Sequence, residues 1–234
     1  NYTGFGIGIT PAGNIMAVGG FNNTWQATTT NYVVEIGRKY HIVGTYDGTA
    51  IKLYVDGTLA GSVPVTGNMS IADTHLLLGG FMGSGSMFLN GNLYMARAYN
   101  RALTASEVAQ NYQSVIVDST EIIASGKAES MLIPKAVNTN LLRYYDGKQN
   151  TGEGQYNSSA TTFADLSGNY DATIYNGEWF AGRLISNGTN TYVDAGDISY
   201  TYSTVEVVFT SDGGYTQHIL AESGLDLYVD AAGQ

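Results

Sequence analysis

The 234-residue chain has no cysteine, only three prolines and few charges: Asp, Glu, Lys and Arg together make up 13% of it, about half the usual share. Without cysteine there is no disulfide, no thiolate nucleophile and no Cys-type zinc or iron–sulfur site. Cations are scarcest, with 10 Lys and Arg against 20 Asp and Glu, a formal charge of −10 and a pI near 4.5. Nucleic acid is held largely by clustered Lys and Arg, so this balance argues against such a partner. No apolar run approaches the ~18–20 residues needed to cross a bilayer, so no membrane insertion is expected. No signal-peptide pattern opens the chain and residue 1 is Asn. A processed, trimmed or partial start is therefore expected.

Hydrophobic residues are 44% of the chain, and 30 Gly and 18 Tyr occupy places that Lys and Glu usually take. That excludes an acidic disordered tail, which would be poor in aromatics. The patterning is mostly period two. Ile51 to Val55 lies between Asp47-Gly48 and Asp56-Gly57, and Asp-Gly suits the positive φ of tight hairpin turns. The same reading predicts strands at 40–46, 58–65, 74–78, 89–99, 192–194, 204–210, 218–221 and 225–230. Many short strands with few breakers point to a sandwich or jelly roll. One helix is expected from Thr104 to about residue 113, opened by the capping box Thr104-Ala105-Ser106-Glu107.

Residues 4–14 and 224–234 align without a gap, with Gly4/Gly224, Ala12/Ala232 and Gly13/Gly233 identical. The offset is 224 − 4 = 220 residues. Such self-similarity is expected if the chain spans one period of a tandem array, though any two strand–turn segments share some of this look.

A family resemblance rests on five runs in order: Tyr40 to Gly48, Leu53 to Gly57, Leu78-Gly79-Gly80, Asn90 to Leu93, and Tyr99 to Val108. Together they resemble the C-terminal half of a laminin G-like, concanavalin A-like jelly roll. Leu142 to Asp146, Asp165-Leu166-Ser167-Gly168-Asn169 and Asn187 to Val193 resemble the N-terminal half of the same family. The implied fold is all-β: an antiparallel jelly-roll β-sandwich with one short helix. The order of the halves is reversed. Two organisations are therefore open: 1–114 as a C-terminal half, 115–140 as a connector and 141–234 as the next module's N-terminal half, or 1–234 as one circularly permuted sandwich. The connector is expected to hold strands at 121–124 and 130–133.

Retaining glycosidases need two carboxylates about 5–5.5 Å apart, which strands supply from acids at alternate positions. No such cluster occurs. Glu206 stands among valines, and Asp226, Tyr228 and Asp230 read as the solvent face of an edge strand. Hydrolysis is therefore not expected. His41, His75 and His218 are isolated, each in a strand, and Gly79 to Ser86 lacks the Lys-Ser/Thr of a phosphate loop. Calcium wants six to eight oxygens. Asp165, Asn169 and Asp171 on one glycine-containing loop, and Asp194 with Asp197, are the candidate ligands, and the resemblance implies calcium at the sandwich rim. Asp165 has an equal structural reading as the acceptor of its own turn's amides. For glycans, Trp25, Tyr170, Tyr175 and Trp179 are the candidate stacking residues, with Trp179 also read as core.

The resemblance implies a non-catalytic structural or adhesion module of a repetitive virion or cell-surface protein, extracellular or on a virion surface. Its expected partners are copies of itself, neighbouring modules or glycans. A calcium-dependent lectin-like domain is the alternative, and a glycan-cleaving enzyme the third reading.

Overall fold

The computed structural model describes residues 4–22, 24–70, 75–80, 87–116, 135–198, 203–213 and 217–222. The repeat segment 224–234 with its strand at 225–230, the connector strands at 121–124 and 130–133, and residues 81–86 of the glycine loop lie outside them.

The described residues form sixteen strands: β1 Phe5–Ile9, β2 Asn14–Phe21, β3 Thr24–Val33, β4 Lys39–Tyr46, β5 Ala50–Val55, β6 Thr58–Pro64, β7 His75–Leu78 and β8 Asn90–Tyr99; then, after helix α1 (Ala105–Ile116), β9 Leu141–Asp146, β10 Thr162–Phe163, β11 Ala172–Tyr175, β12 Glu178–Phe180, β13 Arg183–Asn187, β14 Tyr192–Asp197, β15 Ser203–Ser211 and β16 Gln217–Glu222. They form two antiparallel sheets, in the orders β10-β11-β14-β7-β16-β1-β2-β3 and β12-β13-β8-β15-β4-β5-β6, with β9 also paired to β8.

The hairpin signals placed their turns correctly. Asp56 and Gly57 both have positive φ, at 49° and 77°, the conformation a two-residue turn between β5 and β6 requires. The strands β2 and β3 were not foreseen. Ile15 to Phe21 is buried almost throughout, so it shows no in–out alternation to read.

β15 lies between β8 and β4, and β16 between β7 and β1. Strands from residues 141–222 thus take central places among strands from residues 5–99, in both sheets. This is a jelly-roll β-sandwich with one short helix. Its core sits between the sheets, where Ile7, Ile15 and Ile219 of the first meet Tyr40, Ile42, Val205, Val207 and Phe209 of the second. Burying each such side chain contributes about 1.5–3 kcal/mol.

The second sheet has a further covered patch. Val43, Tyr54 and Tyr99 on its outer face pack under Leu103 and Val108, with Val137 and Leu141 alongside. The capping box holds α1 there as expected: Glu107 N donates to Thr104 Oγ1 at 3.3 Å, and Thr104 N to Glu107 Oε2 at 2.9 Å. No helix among the described residues is long and apolar enough to cross a membrane.

Candidate functional site

Alternation along β14 sets up the site. Val193 and Ala195 enter the core, so Tyr192 and Asp194 face outward from the first sheet. Tyr192 pairs across the strands with Tyr175 of β11, and their rings stack with centroids 4.5 Å apart and planes 8° apart. Phe88 extends the row, 6.4 Å from Tyr192. Gly80 makes room for it, since a Cβ there would sit 2.6 Å from Phe88 and 2.8 Å from Tyr192.

A bulge in β14 between Asp194 and Asp197 brings two carboxylates to one histidine. His75 of β7 meets Asp194 through Nδ1 at 2.8 Å and Asp197 through Nε2 at 3.2 Å. Gly196 within the bulge has φ of 69°, and the Tyr170 ring lies against it, 2.6 Å from where a Cβ would be. Tyr170 is 43% exposed and Tyr175 40%. Four residues named from sequence, Tyr170, Tyr175, Asp194 and Asp197, therefore gather on one face. His75, Tyr192 and Phe88 join them, and the sequence reading missed all three in this role. Period two already placed Tyr192 and Asp194 on one side, but only the register of β11 and β7 brings in the others.

Aromatic rings beside carboxylates and an imidazole suit a sugar, whose C–H faces stack on rings and whose hydroxyls bond to polar groups. Asp194 and Asp197 are held on opposite nitrogens of one intervening imidazole ring.

The other candidates are placed elsewhere. Trp179 is only 7% exposed; its ring meets Phe163 edge-on and its Nε1 donates to Ala160 O at 3.1 Å. It is a core residue and offers no face to a glycan. Trp25 is half-buried on β3, away from the β11–β14–β7 face.

Asp165 is buried and caps its own loop. Its Oδ1 accepts from Tyr144 N, Ser167 N and Ser167 Oγ at 2.7–2.9 Å, and its Oδ2 from Asn169 N and Tyr170 N at 3.2 and 3.0 Å. Asp171 Oδ1 accepts from Asp165 N, and Asn169 Nδ2 donates to Leu142 O. With five donors on two oxygens, this carboxylate does not fit a calcium ligand. Among the described residues no group of three or more His, Asp or Glu side chains is arranged to hold a metal ion.

Glu206 does not stand alone. Fully buried on the outer face of β15, it accepts from His41 Nε2 at 2.8 Å, Arg97 Nη1 at 3.0 Å and Asn111 Nδ2 at 2.7 Å, with Tyr99 OH at 3.5 Å. Burial opposes its ionisation, but Arg97 and His41 outweigh burial and hold its carboxyl down at about 2. The partners come from β4, β8 and α1, so no local motif could reveal them. His218 is also buried, and burial pushes its imidazole down to about 4, neutral at pH 7.

Residues 1–109 match the family model Laminin_G_3, described as the concanavalin A-like lectin/glucanases superfamily. This stretch is similar to that superfamily. No curated protein and no solved structure matches the chain. The concanavalin A-like superfamily takes in both lectins and glucanases, and the match supports a carbohydrate-binding or structural module in general.

Proposed function

We propose that the chain is a non-catalytic, carbohydrate-binding module of a surface protein, displayed outside a cell or on a virion, and that it binds glycans on the β11–β14–β7 face. One observation carries this reading: the exposed Tyr175 ring stacked on the half-buried Tyr192 ring, flanked by Asp194, His75 and Asp197. Tyr175 supplies the open ring face, and the two carboxylates accept from sugar hydroxyls. Their pairing with one imidazole fixes them as acceptors and supports a binding rather than a hydrolytic role.

A second reading, self-association, has its own support. Among the described residues β3 and β6 are edge strands of the two sheets and lie side by side, with Gly61 against Thr28. Tyr32 and Val33 on β3, Leu59 on β6 and Ile36 just beyond β3 are all exposed. Edge strands with exposed apolar residues favour pairing with another copy or a neighbouring module.

A glycan array tests the first reading. The wild-type chain is expected to bind neutral glycans, and Tyr175→Ala to lose about tenfold or more in affinity, in line with about 1–2 kcal/mol for a stacking contact. An array without hits, or unchanged binding by Tyr175→Ala, removes the aromatic face as the site.

A further inference from the structure

All five arginines of the chain lie among the described residues, and four have their terminal nitrogens engaged. Arg38 meets Glu35 and Asp56, Arg97 meets Glu206, and Arg101 grips Glu107 with both nitrogens. Arg143 donates to the carbonyls of Leu142 and Asp197. Arg183 differs. Its Nε donates to Asn92 Oδ1 at 3.1 Å, and its guanidinium lies 4.9 Å from the Phe180 ring centre. Its two terminal nitrogens have no partner among the described residues and are not buried.

That fork is held in place from behind. Asn92 donates its own Nδ2 to Thr210 Oγ1 at 2.8 Å, which orients Oδ1 toward Arg183. Leu184 next to Arg183 enters the core, so Arg183 stands on the outer face of the second sheet, on the opposite side of the sandwich from the tyrosine face. Thr210 pairs across the strands with Lys39, whose ammonium sits 4.4 Å from the Tyr94 ring centre. Phe180, Arg183, Asn92, Thr210 and Lys39 thus form a band across β12, β13, β8, β15 and β4.

We propose that this band is a second binding subsite, for the carboxylate of an acidic sugar, with Arg183 as the bidentate anchor. A planar guanidinium with Nε fixed and both terminal nitrogens open matches a carboxylate edge-on, and its preorganisation lowers the entropy cost of binding. Phe180, 58% exposed, gives a sugar ring an apolar surface beside the anchor, and Lys39 extends the positive end of the band. In a chain of net charge −10, diffuse attraction to polyanions is absent. Recognition must therefore come from a short-range fork, which selects carboxylates carried singly on successive sugars over a densely charged phosphate chain. The subsite goes beyond the neutral-glycan reading and is independent of it.

Calorimetric titration of the intact chain with polygalacturonate tests this, with dextran as the uncharged probe and poly-glutamate as the acidic non-sugar. Wild type is expected to bind polygalacturonate over both. Arg183→Gln is expected to weaken binding tenfold or more, and Arg183→Lys to fail to restore it, because a point charge lacks the fork. Lys39→Gln is expected to weaken it severalfold, a readout that survives if Arg183→Gln does not fold. Lys135→Gln removes an exposed charge away from the band and is expected to bind as wild type.

Absence of polygalacturonate binding, wild-type binding by Arg183→Gln, or equal losses in Lys135→Gln would overturn the proposal. Equal binding of poly-glutamate through Arg183 would overturn its assignment to a sugar. Binding of polygalacturonate without any neutral glycan would remove the tyrosine-face reading and leave this one standing; the reverse result would do the opposite.

Discussion

Glu206 shows how one buried charge is held. Three side chains donate to it at 3.0 Å or less from three different elements, and the Arg97 guanidinium beside it also stacks 4.4 Å from the centre of the Tyr144 ring. Removing one member of a buried pair leaves the other uncompensated, which costs about 3–5 kcal/mol. Glu206→Gln is expected to lower stability by that order, read as a reduced urea midpoint at unchanged slope. The pH dependence follows from the depressed carboxyl, at about 2 in the folded chain against an ordinary value of about 4.3. Its contribution is complete above the ordinary value and is lost as pH falls through the folded one. Wild type is therefore expected to lose stability steadily between about pH 4.5 and pH 2, and Glu206→Gln to show a shallower fall over that window.

At the scale of elements, α1 is tied to the sheet by polar as well as apolar contacts. Asn111 is buried, donates to Glu206 and Tyr99, and accepts from the backbone of Val137 at 2.8 Å. Gln110 donates to Lys135 O beside it. One helix face therefore closes the buried network and fastens the segment that leads into β9. Asn111→Ala leaves Val137 N and one Glu206 oxygen short of a partner, at about 1–3 kcal/mol for each buried group left unmade. A drop of about 3 kcal/mol in chemical unfolding is expected, with faster amide exchange at Val137. Asn111→Asp, which sets a second carboxylate against Glu206, is expected to be worse. If Asn111→Ala unfolds like wild type, the network does not anchor the helix.

For the whole molecule, the arrangement of carboxylates bears on calcium. The Asp165 loop has its oxygens occupied by its own donors, and Asp194 and Asp197 share His75. A ligand that binds only the folded chain raises its stability by mass action. The unfolding midpoint is therefore expected to be the same in millimolar calcium and in chelator, measured by differential scanning calorimetry. A rise with calcium would show a donor set that the described residues do not assemble.

Local signals and long-range pairing divide the remaining questions. Hairpin turns at Asp47-Gly48 and Asp56-Gly57, the capping box at Thr104 and the turn role of Asp165 were legible because each is built within a few residues. The all-β class was legible because period-two burial needs no partner to be recognised. The Tyr175–Tyr192 stack, the His75 bridge, the Glu206 hub and the Arg183 fork were not, because each joins strands far apart in the chain, and register between such strands is set by the packed core. The scarcity of charge follows the same division. Sequence alone determined that there are five arginines and twice as many acids as bases. Only the tertiary structure decided which arginine has no partner for its terminal nitrogens among the described residues, because a guanidinium takes its partners from whatever strands the fold sets beside it.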